Sequence, residues 1–100
     1  MNVKVIMSWD IKEGQEQEYF EFVVRHFMPG VQKMGMAISD AWVTIYGDHP
    51  QILVSAVVPG LKKAQHIIHS EDWERLNNNL LVFVENYQLK MAPLEGGFQF

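Results

Sequence analysis

The chain contains no cysteine. That excludes a disulfide framework, thiol catalysis and zinc-thiolate sites. Positive charge is scarce: 8 Lys and Arg stand against 12 Asp and Glu, a formal net charge of -4. The longest basic run is Lys62-Lys63. Binding to a phosphate backbone needs a basic surface, so nucleic acid is not an expected partner. No stretch approaches the roughly 18 apolar residues of a membrane span. The opening MNVKVIMSWDIKEG lacks the basic flank and apolar core of a secretion signal. Together these absences predict a cytoplasmic protein with no membrane partner. Nucleotide signatures are missing too. There is no G-x-G-x-x-G, P-loop, nucleophile elbow or H-E-x-x-H, so no cofactor is expected.

What is there is apolar and patterned. At 100 residues, 48% hydrophobic and 20% charged, the chain is expected to form one domain over 1–100, with a tail from about 93 to 100. No tandem repeat or linker interrupts it. Val3 to Asp10 alternates, with Val3, Val5, Met7 and Trp9 set against Lys4, Ile6, Ser8 and Asp10; period two predicts a strand. Gln15 to Met34 has helical period, with Phe20, Val23, Val24, Phe27, Val31 and Met34 on one stripe and acids early. Pro29 removes the donor for the Arg25 carbonyl, which predicts a kink or restart. Gly35 is the expected stop.

The stretch DAWVTIYGDHPQILVSAVV reads as two strands. A four-residue loop, Gly47-Asp48-His49-Pro50, would pair Tyr46 with Gln51. Ile45, Val43 and Ala41 then face Ile52, Val54 and Ala56, and Thr44, Trp42 and Asp40 face Leu53, Ser55 and Val57. Leu61 to His69 predicts one helical piece. Ser70 caps a second, with Glu71 and Asp72 in its first turn and Trp73, Leu76 and Leu80 on its stripe. Asn77-Asn78-Asn79 are expected on the solvated side. Glu85 to Leu94 reads as the last strand.

The order β-α-β-β-α-β, with right-handed crossovers, gives an α+β ferredoxin-like sandwich: a four-stranded antiparallel sheet with helices on one face. The other face carries Trp42, Tyr46, Thr44, Leu53 and Ser55 with Ile6 and Val57. That is a large apolar content for an exposed surface, and the economical solution is a homodimer through this face. The alternative is a solvated face with scattered aromatics.

The order, with FVVRHFMPGVQKMG, DAWVTIYGDHPQIL and HSEDWERLNNNLLVFVENY, resembles the dimeric α/β-barrel superfamily in its NIPSNAP-like branch, with antibiotic-biosynthesis-type monooxygenases and EthD-like proteins as relatives. The resemblance spans nearly the whole chain; its most telling piece is Ser70-Glu71-Asp72-Trp73. It implies two sheets facing each other as a barrel and a cavity between sheet and helices in each subunit. If the protein is an enzyme, it implies cofactor-free oxygenation or isomerisation of a polyketide-like or aromatic substrate. A complete Asn-Trp-His haem-degradation set has no match here.

Candidate site residues follow from placement. Tyr19, Phe22 and His26 share a border of the first helix, and with Trp9 and Met7 they are expected to line an aromatic ligand cavity. His26 is the candidate proton carrier, because imidazole titrates near neutral pH; the plainer reading is a boundary histidine bonded to water or a carbonyl. Trp9 and Tyr19 would orient a ring. His49 sits in the expected turn, where a solvated histidine is common. His66 and His69 share a helical face but lack a third ligand, so no metal is assigned. The alternative function is a non-enzymatic binding or assembly module whose aromatic sheet face serves dimerisation alone.

Overall fold

A computed structural model describes residues 1–46 and 49–94, with 46, 49 and 50 in backbone only. Strand β1 (Asn2–Ile11) is followed by helix α1 (Glu16–Phe22), a π segment (Val23–Phe27) and helix α2 (Met28–Lys33), which run on as one helix. Then come β2 (Ala37–Tyr46), β3 (His49–Pro59), α3 (Leu61–Ile68), α4 (Glu71–Leu80) and β4 (Val84–Leu94). The sheet order is β2-β3-β1-β4, antiparallel at every pairing. This is the ferredoxin-like α+β arrangement expected from the element order.

Local chemistry explains the element ends. The interruption expected from Pro29 is a π turn: the Met28 N–H donates to the Val23 carbonyl five residues back. One extra residue in the turn is how a helix absorbs a proline that cannot donate and would crowd the carbonyl four before it. Helix α2 ends in a Schellman motif. Gly35 takes a φ of 105°, its N–H bonds Gln32 O, and the Met36 N–H bonds Val31 O. Buried Met36 packs in the same core as Val31, which is the hydrophobic contact that accompanies this cap. Ser70 caps α4 as expected: its Oγ accepts from the Trp73 N–H at 3.2 Å and donates to Ile67 O at 2.6 Å.

The core lies between helices and sheet. Val3, Val5, Met7, Trp9 and Ile11 of β1 meet Val54, Ala56 and Val58 of β3, and Tyr19, Phe27, Val31, Ala64, Trp73 and Leu80 close over them.

Three expectations are corrected. The β2–β3 register is displaced by two residues: Trp42 pairs with Leu53, Asp40 with Ser55, and Tyr46 with His49. The strands therefore reach further than a four-residue loop allows. Because the side-chain period is two, the displacement leaves every residue on its expected face. Second, Val43 and Ile45, expected on the apolar face with Ile52 and Val54, are 58% and 76% exposed. They sit on the far end of an edge strand, past the cover of the helices. Third, Asn77 is buried rather than solvated. It lies four residues after Trp73 and three before Leu80, so helical spacing puts it on the inward stripe. The last strand, expected over Glu85 to Leu94, is β4, with Pro93 opposite Val3 and Leu94 opposite Asn2. Residues 47–48 and 95–100, with the first half of the expected turn and the terminal phenylalanines, lie outside the described residues, while His49 and Pro50 of that turn belong to β3.

Candidate functional site

The expected cavity residues fall into two groups. Trp9, Tyr19 and Met7 are buried in the core. The Trp9 indole N–H donates to the Tyr19 hydroxyl at 2.8 Å. Trp9 stacks on Tyr87, with ring centroids 5.8 Å apart and planes 2° from parallel, and meets Phe27 edge-on at 5.6 Å. The Tyr87 hydroxyl donates to Asn77 Oδ1 at 2.6 Å, and the Asn77 amide donates to Trp73 O at 2.9 Å. A hydrogen-bonded aromatic wall thus joins β1, β4, the first helix and α4. Burial pushes the hydroxyls of Tyr19 and Tyr87 up to about 12, against a small opposing effect of the Trp9 bond at Tyr19. Both stay protonated over the physiological range. Sequence reasoning did not find the roles of Asn77 and Tyr87 in this wall. The signal for Asn77 was its place on the Trp73–Leu80 stripe.

Tyr87 reaches the wall through a β-bulge. Ser8 pairs with Gln88 and Asp10 with Glu85, so Asn86 and Tyr87 together oppose Trp9. Asn86 takes a φ of 57° and its amide donates to Asp10 Oδ2 at 2.8 Å. Asparagine tolerates this left-handed conformation better than most residues.

Phe22 and His26 form the second group. They lie at the surface, one turn apart, with ring centroids 5.9 Å from each other. Phe22 also approaches Phe83 at 5.5 Å. A cleft of about 510 Å³ opens here, lined by Phe22, His26, Leu76, Asn79, Val82 and Phe83. It falls within the size of small-molecule pockets, roughly 300–1,000 Å³, and it sets Phe22, Leu76, Val82 and Phe83 beside the polar groups of His26 and Asn79. The π segment places His26 at this rim. A second cleft of about 460 Å³ continues along α4, lined by Gly30, Lys33, Asp72, Arg75, Leu76 and Asn79 among others.

On the open sheet face, Trp42 is 59% exposed and Thr44 is exposed, while Ile6, Leu53 and Val57 are half-buried. Ser55, expected at an interface, is only 2% exposed within the chain itself. It is short, it sits on an inner strand, and it pairs with Ile6 on one side and Asp40 on the other. The Tyr46 side chain lies outside the described residues, as does that of His49. His66 and His69 are exposed on α3 and its end. Among the described residues no group of three or more His, Asp or Glu is placed to hold a metal ion. Among them also, no helix is long and apolar enough to cross a membrane.

No protein-family model and no curated protein sequence matches the chain. Solved structures do. A NIPSNAP family protein from Agrobacterium tumefaciens superposes with a TM-score of 0.68 at 16% identity, covering 93% of this chain and 92% of its own. An EthD family protein from Bacillus halodurans gives a TM-score of 0.66 at 16% identity, over 93% and 98%. A putative antibiotic biosynthesis monooxygenase from Nitrosomonas europaea gives 0.64 at 10% identity, over 95% and 92%. At these identities the likeness speaks for the fold: this chain has the ferredoxin-like fold of the NIPSNAP, EthD and antibiotic-biosynthesis-monooxygenase structures, the group its sequence resembles.

Proposed function

We propose that the chain is a homodimeric small-molecule-binding protein of the cytoplasm. It pairs through the open sheet face and takes an apolar or aromatic guest in the cleft beside His26. The observation that carries the reading is the one-sided sheet. Helices cover one face, and the bare face is led by an exposed Trp42 above Ile6, Leu53 and Val57. Large apolar patches on soluble proteins mark contact sites, and a second copy of the same face is the simplest complement. Trp42 and Leu53 are directly paired neighbours, so they make one contiguous anchor.

The guest would rest against Phe22 and Phe83, with the imidazole of His26 free to accept or return a proton. Trp9, Tyr19 and Met7 would support that wall from behind. Oxygenation or isomerisation without a cofactor is the reaction class that the resemblance suggests for such a cleft, and proton removal is the step His26 would supply.

Sedimentation velocity of tag-free protein tests the assembly. We expect a dimer for the natural sequence and a folded monomer for Trp42→Lys combined with Leu53→Asp. A monomeric natural protein would sink the reading. Native mass spectrometry of protein taken straight from cells tests the cleft, where a dimer carrying a small additional mass is expected. Once a substrate is in hand, unchanged turnover by His26→Ala would remove the catalytic role.

A second reading has its own observation. The interior expected to hold a ligand is closed by the Trp9–Tyr19 hydrogen bond and the Trp9–Tyr87 stack. That favours an assembly module without turnover, for which the same mass spectrum would show a bare dimer.

A further inference from the structure

The two clefts share a wall. Leu76 and Asn79 line both, so they form one groove between the first helix and α4. Its two ends differ in chemistry. One end offers the aromatic rings of Phe22 and Phe83 with Val82, beside the His26 imidazole. The other carries Lys33 and Arg75 against a single carboxylate, Asp72. Glu71 and Glu74 flank Arg75 in the adjoining hollow, so the positive charge a ligand would meet in this cleft is centred on Lys33, with Arg75 beside it. We infer that the groove selects an anionic amphiphile: a small aryl or alkyl carboxylate or sulfonate, its anion between Lys33 and Arg75 and its apolar body toward Phe22 and Val82. This inference rests on the proposed small-molecule role of the His26 cleft and names the ligand class.

Three observations carry it. Lys33 makes no ion pair among the described residues, so its charge is available. Arg75 is held only by Asp72, at 3.2 Å, with both side chains largely exposed. A surface pair of that kind is weak, so a ligand anion can share the guanidinium at little cost. Gly30 lies against Leu76 on the groove wall: a methyl group there would stand 2.9 Å from Leu76 Cδ2 and would push that side chain aside. Arg75 and Asn79 are one helical turn apart, ~6 Å along the axis, and Val82 and Phe83 lie just past the end of α4. Head and tail sites are therefore within reach of one small molecule.

The probe is anilinonaphthalenesulfonate, with phenylnaphthylamine as its neutral counterpart of the same aromatic skeleton. Fluorescence titration gives affinity, and amide NMR shifts give location. We expect the sulfonate to bind at least about tenfold more tightly than the neutral dye and to shift Gly30, Lys33, Arg75 and Asn79. Lys33→Glu with Arg75→Glu, both at the surface, should weaken the sulfonate about tenfold and leave the neutral dye unchanged, as expected for two exposed charges. Val82→Glu should weaken both dyes. Equal affinity of the two dyes, with shifts in the groove, would overturn the preference for an anion while the small-molecule reading stands. Shifts confined to the open sheet face, or no binding of either dye, would overturn both.

Discussion

The indole N–H of Trp9 donates to the hydroxyl of Tyr19 at 2.8 Å, inside the core and between β1 and the first helix. Removing the acceptor leaves a buried donor unsatisfied, which costs about 1–3 kcal/mol. Tyr19→Phe should therefore lower unfolding stability by that amount, measured by urea denaturation. Trp9→Phe removes the donor and some packing as well. In a double-mutant cycle the two changes should couple by about 1 kcal/mol. Strict additivity would mean that the bond does not form in solution.

The same burial fixes an alkaline limit. The folded-state value of Tyr19 is about 12, raised by burial from the ordinary value of 10.0. Between these values the unfolded chain releases the proton while the folded chain keeps it. The stabilisation is complete below pH 10 and is lost as pH rises through about 12. The slope from Tyr19 is about 1.4 kcal/mol per pH unit. Tyr87 acts in the same direction. Urea midpoints between pH 9 and 12 should fall, and less steeply in Tyr19→Phe. Identical slopes for the two proteins would contradict the assignment.

Much of this architecture was legible in the residues, for reasons that differ by element. The alternation in β1 and the cap at Ser70 are local signals, and each was borne out. Pro29 announced a disturbance, but the choice between kink and π turn depends on packing around Phe27 and Val31. The β2–β3 register was displaced by two because period two sorts faces and does not count pairs. Asn77 was misplaced because polarity outweighed its position on the stripe. The division of the expected site between core and surface was not legible either. Trp9 and Tyr19 satisfy each other through a contact across ten residues, which no local pattern encodes.

Asn77, Asn78 and Asn79 should separate sharply on mutation. Asn77 accepts from the Tyr87 hydroxyl and donates to Trp73 O, while its two neighbours are exposed. Asn77→Ala should cost about 1–3 kcal/mol, since it strands the half-buried Tyr87 hydroxyl. Asn78→Ala should stay within about 0.5 kcal/mol, as surface changes do. Thermal unfolding of both variants decides. Similar losses would place Asn77 outside the aromatic wall.

The bulge at Asn86 makes a prediction about deletion. Asn86 is the extra residue opposite Trp9, so removing it joins Tyr87 to Glu85 and leaves regular pairing: Trp9 with Tyr87, Asp10 with Glu85, Ile11 with Val84. No side chain changes face, and the loss should be about 1 kcal/mol, near the value of the Asp10–Asn86 hydrogen bond. Deleting Gln88 is different. It moves Tyr87 opposite Ser8 and turns its ring to the open face, because a slip of one reverses the sides of a strand. That variant loses the stack on Trp9 and the bond to Asn77, and should lose at least about 3 kcal/mol or fail to fold. Near-ultraviolet circular dichroism reports the Trp9–Tyr87 pair directly. The signal should survive deletion of Asn86 and vanish on deletion of Gln88; equal damage from the two deletions would mean that Asn86 is an ordinary strand residue.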